Sequence, residues 1–176
     1  VNSAIARSAA LQCRPTRFAP SADTIRAGLW LSRKTAKRRP SVMKSVGILF
    51  PGQGAQAIGM GRWLCETYPA AVALFDQATE ILGYDLTRLC TEGPEAQLNE
   101  TAFSQPALFV VGMAAASVMR DQHPERIAAV KAAAGLSLGE YTAVCFAGGL
   151  DFADGVRLVQ RRGQAMQAAA DAVESG

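Results

Sequence analysis

A serine held between two glycines, Gly135-Leu136-Ser137-Leu138-Gly139, follows the small apolar run Ala132-Ala133-Ala134 and precedes Glu140-Tyr141. No other pattern in the chain constrains it as much. A strand-to-helix turn that exposes a serine hydroxyl needs little bulk at its flanks, because strand and helix approach closely while the serine backbone is sharply bent. Gly135 and Gly139 meet that need. The ordinary alternative is a strand-to-helix loop in which the serine is only an N-cap.

The surroundings favour the elbow. Residues 127–134 read as an apolar strand entering the turn, and residues 138–146 as the helix leaving it, closed by Gly148-Gly149. Asp151-Phe152-Ala153-Asp154 has the spacing of an acidic cap for a last helix running toward Val173. A serine so placed lies at a helix N-terminus, with the Leu138 backbone N–H pointing where an oxyanion would develop. A second N–H must come from another loop. Pro51-Gly52-Gln53-Gly54-Ala55-Gln56 is the candidate, since it follows the apolar run Val46-Gly47-Ile48-Leu49-Phe50, read as a buried strand that can lie parallel to the first. Gly52-x-Gly54-x-x-Ala57 also satisfies a loose dinucleotide fingerprint. That site wants an acid at the end of a second strand about 20 residues on, and Asp76 falls instead in a helical stripe.

Between these motifs the pattern is helical. A short helix is expected over residues 60–68, and a longer one from Pro69 to Gly83, with Val72, Phe75, Ala78 and Leu82 facing the core. Residues 85–90 read as one more helical turn, and Gly93-Pro94 as a break. Ser104-Gln105-Pro106 reads as the opening of an apolar helix over residues 107 to about 121, buried on several sides. His123-Pro124-Glu125-Arg126 reads as another break. The expected class is α/β, a parallel sheet flanked by helices.

A chain of 176 residues, 49% hydrophobic and 19% charged, suits one globular domain. No uninterrupted apolar run approaches the roughly 18 residues of a membrane span, so none is expected. The net charge of +3 conceals a division: residues 1–45 carry ten basic side chains against Asp23 alone, and the remainder is acidic. The overall pI therefore gives no support to nucleic-acid binding. The leader, rich in Arg, Ser and Ala and holding Arg33-Lys34-Thr35-Ala36-Lys37-Arg38-Arg39, reads as a disordered organelle transit peptide. Order is expected to begin near Ser45, so residues 46–176 read as the folded part. Cys13, Cys65, Cys90 and Cys145 show no paired spacing, and His123 is the single histidine, so neither a disulfide scaffold nor a zinc site is expected. Cys145, among Ala143, Val144 and Phe146, reads as a buried structural thiol.

Six blocks in order, Phe50-Pro51-Gly52-Gln53-Gly54-Ala55-Gln56, Gly59-Met60-Gly61, Leu82-Gly83-Tyr84-Asp85-Leu86, Gln105-Pro106-Ala107, Gly135 to Tyr141 and Arg162-Gly163, resemble malonyl-CoA:acyl carrier protein transacylases over about residues 46–176. The resemblance implies that Ser137 is the nucleophile, that the backbone N–H groups of Gln53 and Leu138 form the oxyanion hole, and that Arg162 grips the free malonyl carboxylate. A guanidinium fork suits that last role, and Arg157 and Arg161 read as solvated helix charges. The implied reaction is ping-pong, from malonyl-CoA through a malonyl-serine ester to the phosphopantetheine thiol of acyl carrier protein. It requires no metal or redox cofactor; a monomer without membrane or nucleic-acid partners is expected.

Two departures from the family pattern stand out. Leu136 occupies the place where many bacterial members have histidine, and GLSLGEY is most similar to plastid members, which points to the plastid with the mitochondrion as alternative. The family's general-base histidine lies well downstream of its elbow, and His123, upstream beside Pro124, reads as an exposed loop residue. The resemblance thus implies an N-terminal fragment of the large subdomain, almost inactive alone, with a ferredoxin-like small subdomain and the base beyond Gly176. The alternatives are a serine esterase, a polyketide-type acyltransferase domain, and a non-catalytic binding partner of acyl carrier protein.

Overall fold

Two short strands meet in parallel at the centre of the site, and both point their C-terminal ends at the serine turn. The structure, a computed structural model, describes residues 45–174; the leader assigned to residues 1–45 lies outside them except for Ser45. Strand β1 (Val46–Phe50) pairs with β2 (Val130–Gly135), the register running from Val46 opposite Val130 to Phe50 opposite Gly135. Residues 127 and 128, expected in the strand, belong instead to a short helix.

Eight helices complete the described residues: α1 (Arg62–Thr67), α2 (Pro69–Leu82), α3 (Leu86–Glu92), α4 (Glu95–Asn99), α5 (Thr101–Gln122), α6 (Pro124–Ala128), α7 (Leu138–Phe146) and α8 (Phe152–Glu174). Helix α2 obeys its sequence signals. Pro69, lacking an N–H the first turn cannot use anyway, starts it, and Gly83 at φ 79° ends it by donating to the Thr79 carbonyl at 3.0 Å. Its core face is Ala71, Phe75, Ala78 and Leu82, with Val72 only half-buried. Asp85 caps α3 by accepting from the Arg88 N–H at 2.8 Å.

Helix α5 is the axis of the packing and makes its largest interface with α8, others with α2 and α7. It begins at Thr101, earlier than expected, and Pro106 lies inside it. Pro106 cannot donate to the Ala102 carbonyl, and the backbone of Gly163 in α8 comes close there. A Cβ on Gly163 would stand 2.8 Å from the Thr101 carbonyl oxygen and 3.4 Å from that of Ala102. With its early start, α5 is long and apolar enough by length and composition to cross a membrane, a test that a buried core helix also passes, and 61% of its apolar window is buried inside the protein. Phe109 is fully buried and stacks on Phe152 of α8 at 5.8 Å between ring centroids.

The sheet is the place where the described residues depart from a fully flanked α/β layer. Phe50 is buried, with its ring 5.6 Å from Phe146 of α7. Leu49, pointing the other way, is 81% exposed. Among the described residues, helices cover one face of the strands only.

Candidate active site

Ser137 sits between β2 and α7 with φ 54° and ψ −107° and is the only non-glycine residue with positive φ among the described residues. Such a conformation costs on the order of 1–3 kcal/mol and persists only where neighbours over-determine it. Here they do. A Cβ on Gly135 would collide with the backbone of Gly139, and one on Gly139 with the Phe50 carbonyl oxygen. The first turn of α7 is tied back by Gly139 N–H to the Leu136 carbonyl, 3.0 Å, and Glu140 N–H to that of Ser137, 3.3 Å. Although Ser137 occupies the N-cap position, its side chain makes no capping bond. Its exposed hydroxyl accepts from Arg162 Nη2 at 2.9 Å. The plain N-cap reading therefore fails.

The loop after β1 lies against this turn, since a Cβ on Gly52 would come 2.7 Å from the Leu136 carbonyl oxygen. Gln53 Nε2 donates to Thr101 Oγ1 at 3.0 Å, and the Thr101 N–H donates to Gln167 Oε1 at 2.9 Å, tying the loop to the start of α5 and on to α8. Gln56 accepts from the Gly54 N–H at 2.8 Å and donates to Asn99 Oδ1 at 3.0 Å. Among the described residues no backbone hydrogen bond engages the N–H of Gln53 or of Leu138. Asp76 lies exposed within α2 and not at the end of a strand, so it does not complete the dinucleotide pattern.

Arg162 reaches the elbow from α8. Nη1 donates to Gln105 Oε1 at 2.6 Å, and the guanidinium carbon stands 5.3 Å from the centroid of the Tyr141 ring. It forms no ion pair among the described residues. By contrast Arg157 is exposed and paired with Asp154 at 2.9 Å, and Arg161 is exposed. Sequence reasoning picked Arg162 by its motif and passed over the roles of Gln105, Tyr141 and Thr101. The blocks Gln105-Pro106-Ala107 and Gly135 to Tyr141 held two of these residues without indicating what they contact.

His123 is exposed at the junction of α5 and α6, with Nδ1 3.8 Å from Glu125 Oε1. It precedes β2, whose length alone separates the two ends by roughly 16 Å, and it has no bond to Ser137. Cys145 is buried, and desolvation raises its thiol pKa although the Arg120 charge opposes this. Arg120 is thus a charged neighbour that the sequence reading did not foresee, too weak to activate the thiol. Among the described residues no group of His, Cys, Asp and Glu side chains could hold a metal ion.

A strained serine between a parallel strand and a helix, beside a glycine-rich loop and an unpaired arginine, defines a nucleophile-elbow site on an α/β framework. The family described as the acyl transferase domain matches residues 48–174, and the chain belongs to that family. It is 46% identical over 141 residues to the mitochondrial malonyl-CoA-acyl carrier protein transacylase of Mus musculus, covering 80% of this chain and 36% of that one. A solved acyl-carrier-protein-S-malonyltransferase from Bartonella henselae superposes with a TM-score of 0.68 at 44% identity, covering 72% of this chain and 40% of the other. A second similar structure, with TM-score 0.67, 40% identity and coverage of 72% and 40%, is a malonyl-transacylase in complex with a type II polyketide acyl carrier protein. The chain spans little more than a third of the curated mouse relative.

Proposed function

We propose that this chain carries the nucleophile and carboxylate clamp of a malonyl-CoA:acyl carrier protein transacylase of fatty acid synthesis. The observation that carries the reading is Arg162: a guanidinium 2.9 Å from the Ser137 hydroxyl, with no carboxylate of its own to pair with. Ser137 Oγ attacks the thioester carbonyl of malonyl-CoA and loses its proton to a base that the described residues do not present. The N–H groups of Leu138 and Gln53 receive the developing oxyanion. The C–S bond then breaks, coenzyme A leaves as the thiol, and the phosphopantetheine thiol of acyl carrier protein takes the malonyl group from the serine ester. Arg162 holds the distal carboxylate through both steps.

An esterase for neutral substrates has no use for that unpaired cation, and a non-catalytic binding module has no use for a strained serine. The names of the mouse and Bartonella relatives favour the fatty acid enzyme over a polyketide-type domain. For location we propose an organelle, reached through the basic leader of residues 1–45. The mouse relative's mitochondrial name supports the mitochondrion, and the Gly135 to Tyr141 block supports the plastid; import of the tagged leader into isolated organelles decides.

The deciding experiment mixes the full-length protein with malonyl-CoA and seeks a malonyl adduct by mass spectrometry. An adduct on Ser137 that vanishes in Ser137→Ala is expected. An undiminished adduct in that variant, or none on the wild type, removes the assignment.

A further inference from the structure

Gln105 is the one glutamine wholly buried in the core of the described residues, and both ends of its carboxamide are engaged by α8. Oε1 accepts from Arg162 Nη1 at 2.6 Å, and Nε2 donates to Met166 Sδ at 3.3 Å, one turn further along the same helix. The thioether can only accept, so the NH₂ must face Met166 and the oxygen must face the guanidinium. The amide is thereby held in one orientation, and through it one edge of Arg162. The other edge, Nη2, is left aimed at Ser137 Oγ.

What matters as much is the charge that Gln105 does not have. An arginine partly withdrawn from water usually finds a carboxylate, and a glutamate side chain has the length to make the same 2.6 Å contact. The pair so formed would be neutral overall, and an incoming anion would meet no net charge. A carboxamide satisfies one N–H and leaves the cation whole. We propose that Gln105 is a positioning residue for donor selectivity, aiming the Arg162 guanidinium at Ser137 while keeping its charge available to the donor's free carboxylate. This rests on the reading of Arg162 as the carboxylate clamp.

The test compares kcat/KM for malonyl-CoA and acetyl-CoA in the full-length protein with acyl carrier protein as acceptor, for wild type, Gln105→Glu, Gln105→Met and Arg162→Ala. Gln105→Glu should lower the malonyl-to-acetyl ratio by about 10- to 100-fold, the scale of one charge-assisted contact. Gln105→Met removes the tether without adding charge, and should raise KM for malonyl-CoA by about tenfold, more than it lowers kcat. A ratio within about threefold of wild type in Gln105→Glu overturns the proposal, as does an equal loss on both donors in both Gln105 variants, which would make the residue purely structural. Arg162→Ala separates the two readings. If it collapses the ratio while Gln105→Glu does not, the clamp stands and the positioning role falls. If Arg162→Ala keeps the ratio, the clamp itself is misplaced.

Discussion

The Nη2 of Arg162 donates to the Oγ of Ser137 at 2.9 Å, so a guanidinium is already in contact with the atom proposed to be acylated. Before a donor arrives, the serine hydroxyl is its partner. Once the ester forms, Oγ is a poorer acceptor, and the distal carboxylate is the best remaining ligand for the fork. On this reading selectivity is exerted after attack as well as before it.

Replacing Arg162 by lysine should therefore not preserve the proposed preference for malonyl over acetyl donors. A lysine ammonium is a point charge on a flexible stem and cannot hold Gln105 and a carboxylate together with the same planar geometry. We expect Arg162→Lys to lose about tenfold or more in kcat/KM for malonyl-CoA, the scale of one charge-assisted bond, and less for acetyl-CoA. A lysine variant with unaltered preference would show that charge alone suffices.

The link from Gln53 to Thr101 makes a different prediction. It is an exposed bond between neutral groups, worth about 1 kcal/mol, and it ties down the loop that carries a proposed oxyanion donor. Thr101→Val keeps the side-chain shape and removes the acceptor. The expected result is a three- to tenfold lower kcat with an unchanged malonyl-to-acetyl ratio, because Arg162 is untouched. If the ratio moves and kcat does not, the loop is not acting through the oxyanion hole.

Packing at the elbow can be tested apart from chemistry. A methyl on Gly139 would meet the Phe50 carbonyl oxygen, whereas one on Gly47, further back along β1, would make only ordinary contact at 3.9 Å with the Ala132 oxygen. Gly139→Ala should lower the urea-unfolding free energy by about 2 kcal/mol or more, and Gly47→Ala by much less. Equal midpoints for the two variants would mean that strand and helix are not locked at this point.

The difference between what the residues announced and what they withheld is instructive. The Val46–Phe50 strand and the Pro69–Leu82 helix were legible because an apolar run or stripe is bounded by residues with one conformational meaning, Pro51-Gly52 in the first case and Pro69 with Gly83 in the second. Pro106 misled for the opposite reason. Proline is common at a helix start, yet here it lies inside α5, where the close approach of Gly163 shapes the crossing with α8. The start of β2 was likewise read too early, because Pro124 opens a short helix where a break was expected. Ser137, Gln53 and Arg162 each sit in a motif. Gln105 sits in one too, but its partners Arg162 and Met166 are 57 and 61 positions away, and no local pattern encodes such a pairing.

Cys90 supplies a pH signature for the core. It is fully buried in α3, and burial, with a smaller contribution from Cys65, pushes its thiol from an ordinary 9.0 up to about 12. In the unfolded chain the thiol ionises from about pH 9, whereas the folded state keeps its proton until about 12. Between those values the folded state binds more protons, so stability must fall as pH rises through the window, by at most about 1.4 kcal/mol per pH unit. Below pH 9 the group contributes its full share. Tyr84, also raised by burial and next by Cys90, adds to the same alkaline loss, so the wild type alone cannot isolate the thiol. Cys90→Ala can. Its urea midpoint should be lower than wild type at pH 8, from lost packing, and the gap should close or reverse by pH 10.5 because only the wild type sheds the thiol's contribution. Two curves that stay parallel from pH 8 to pH 10.5 would place Cys90 in contact with water and undo the core assignment of α3.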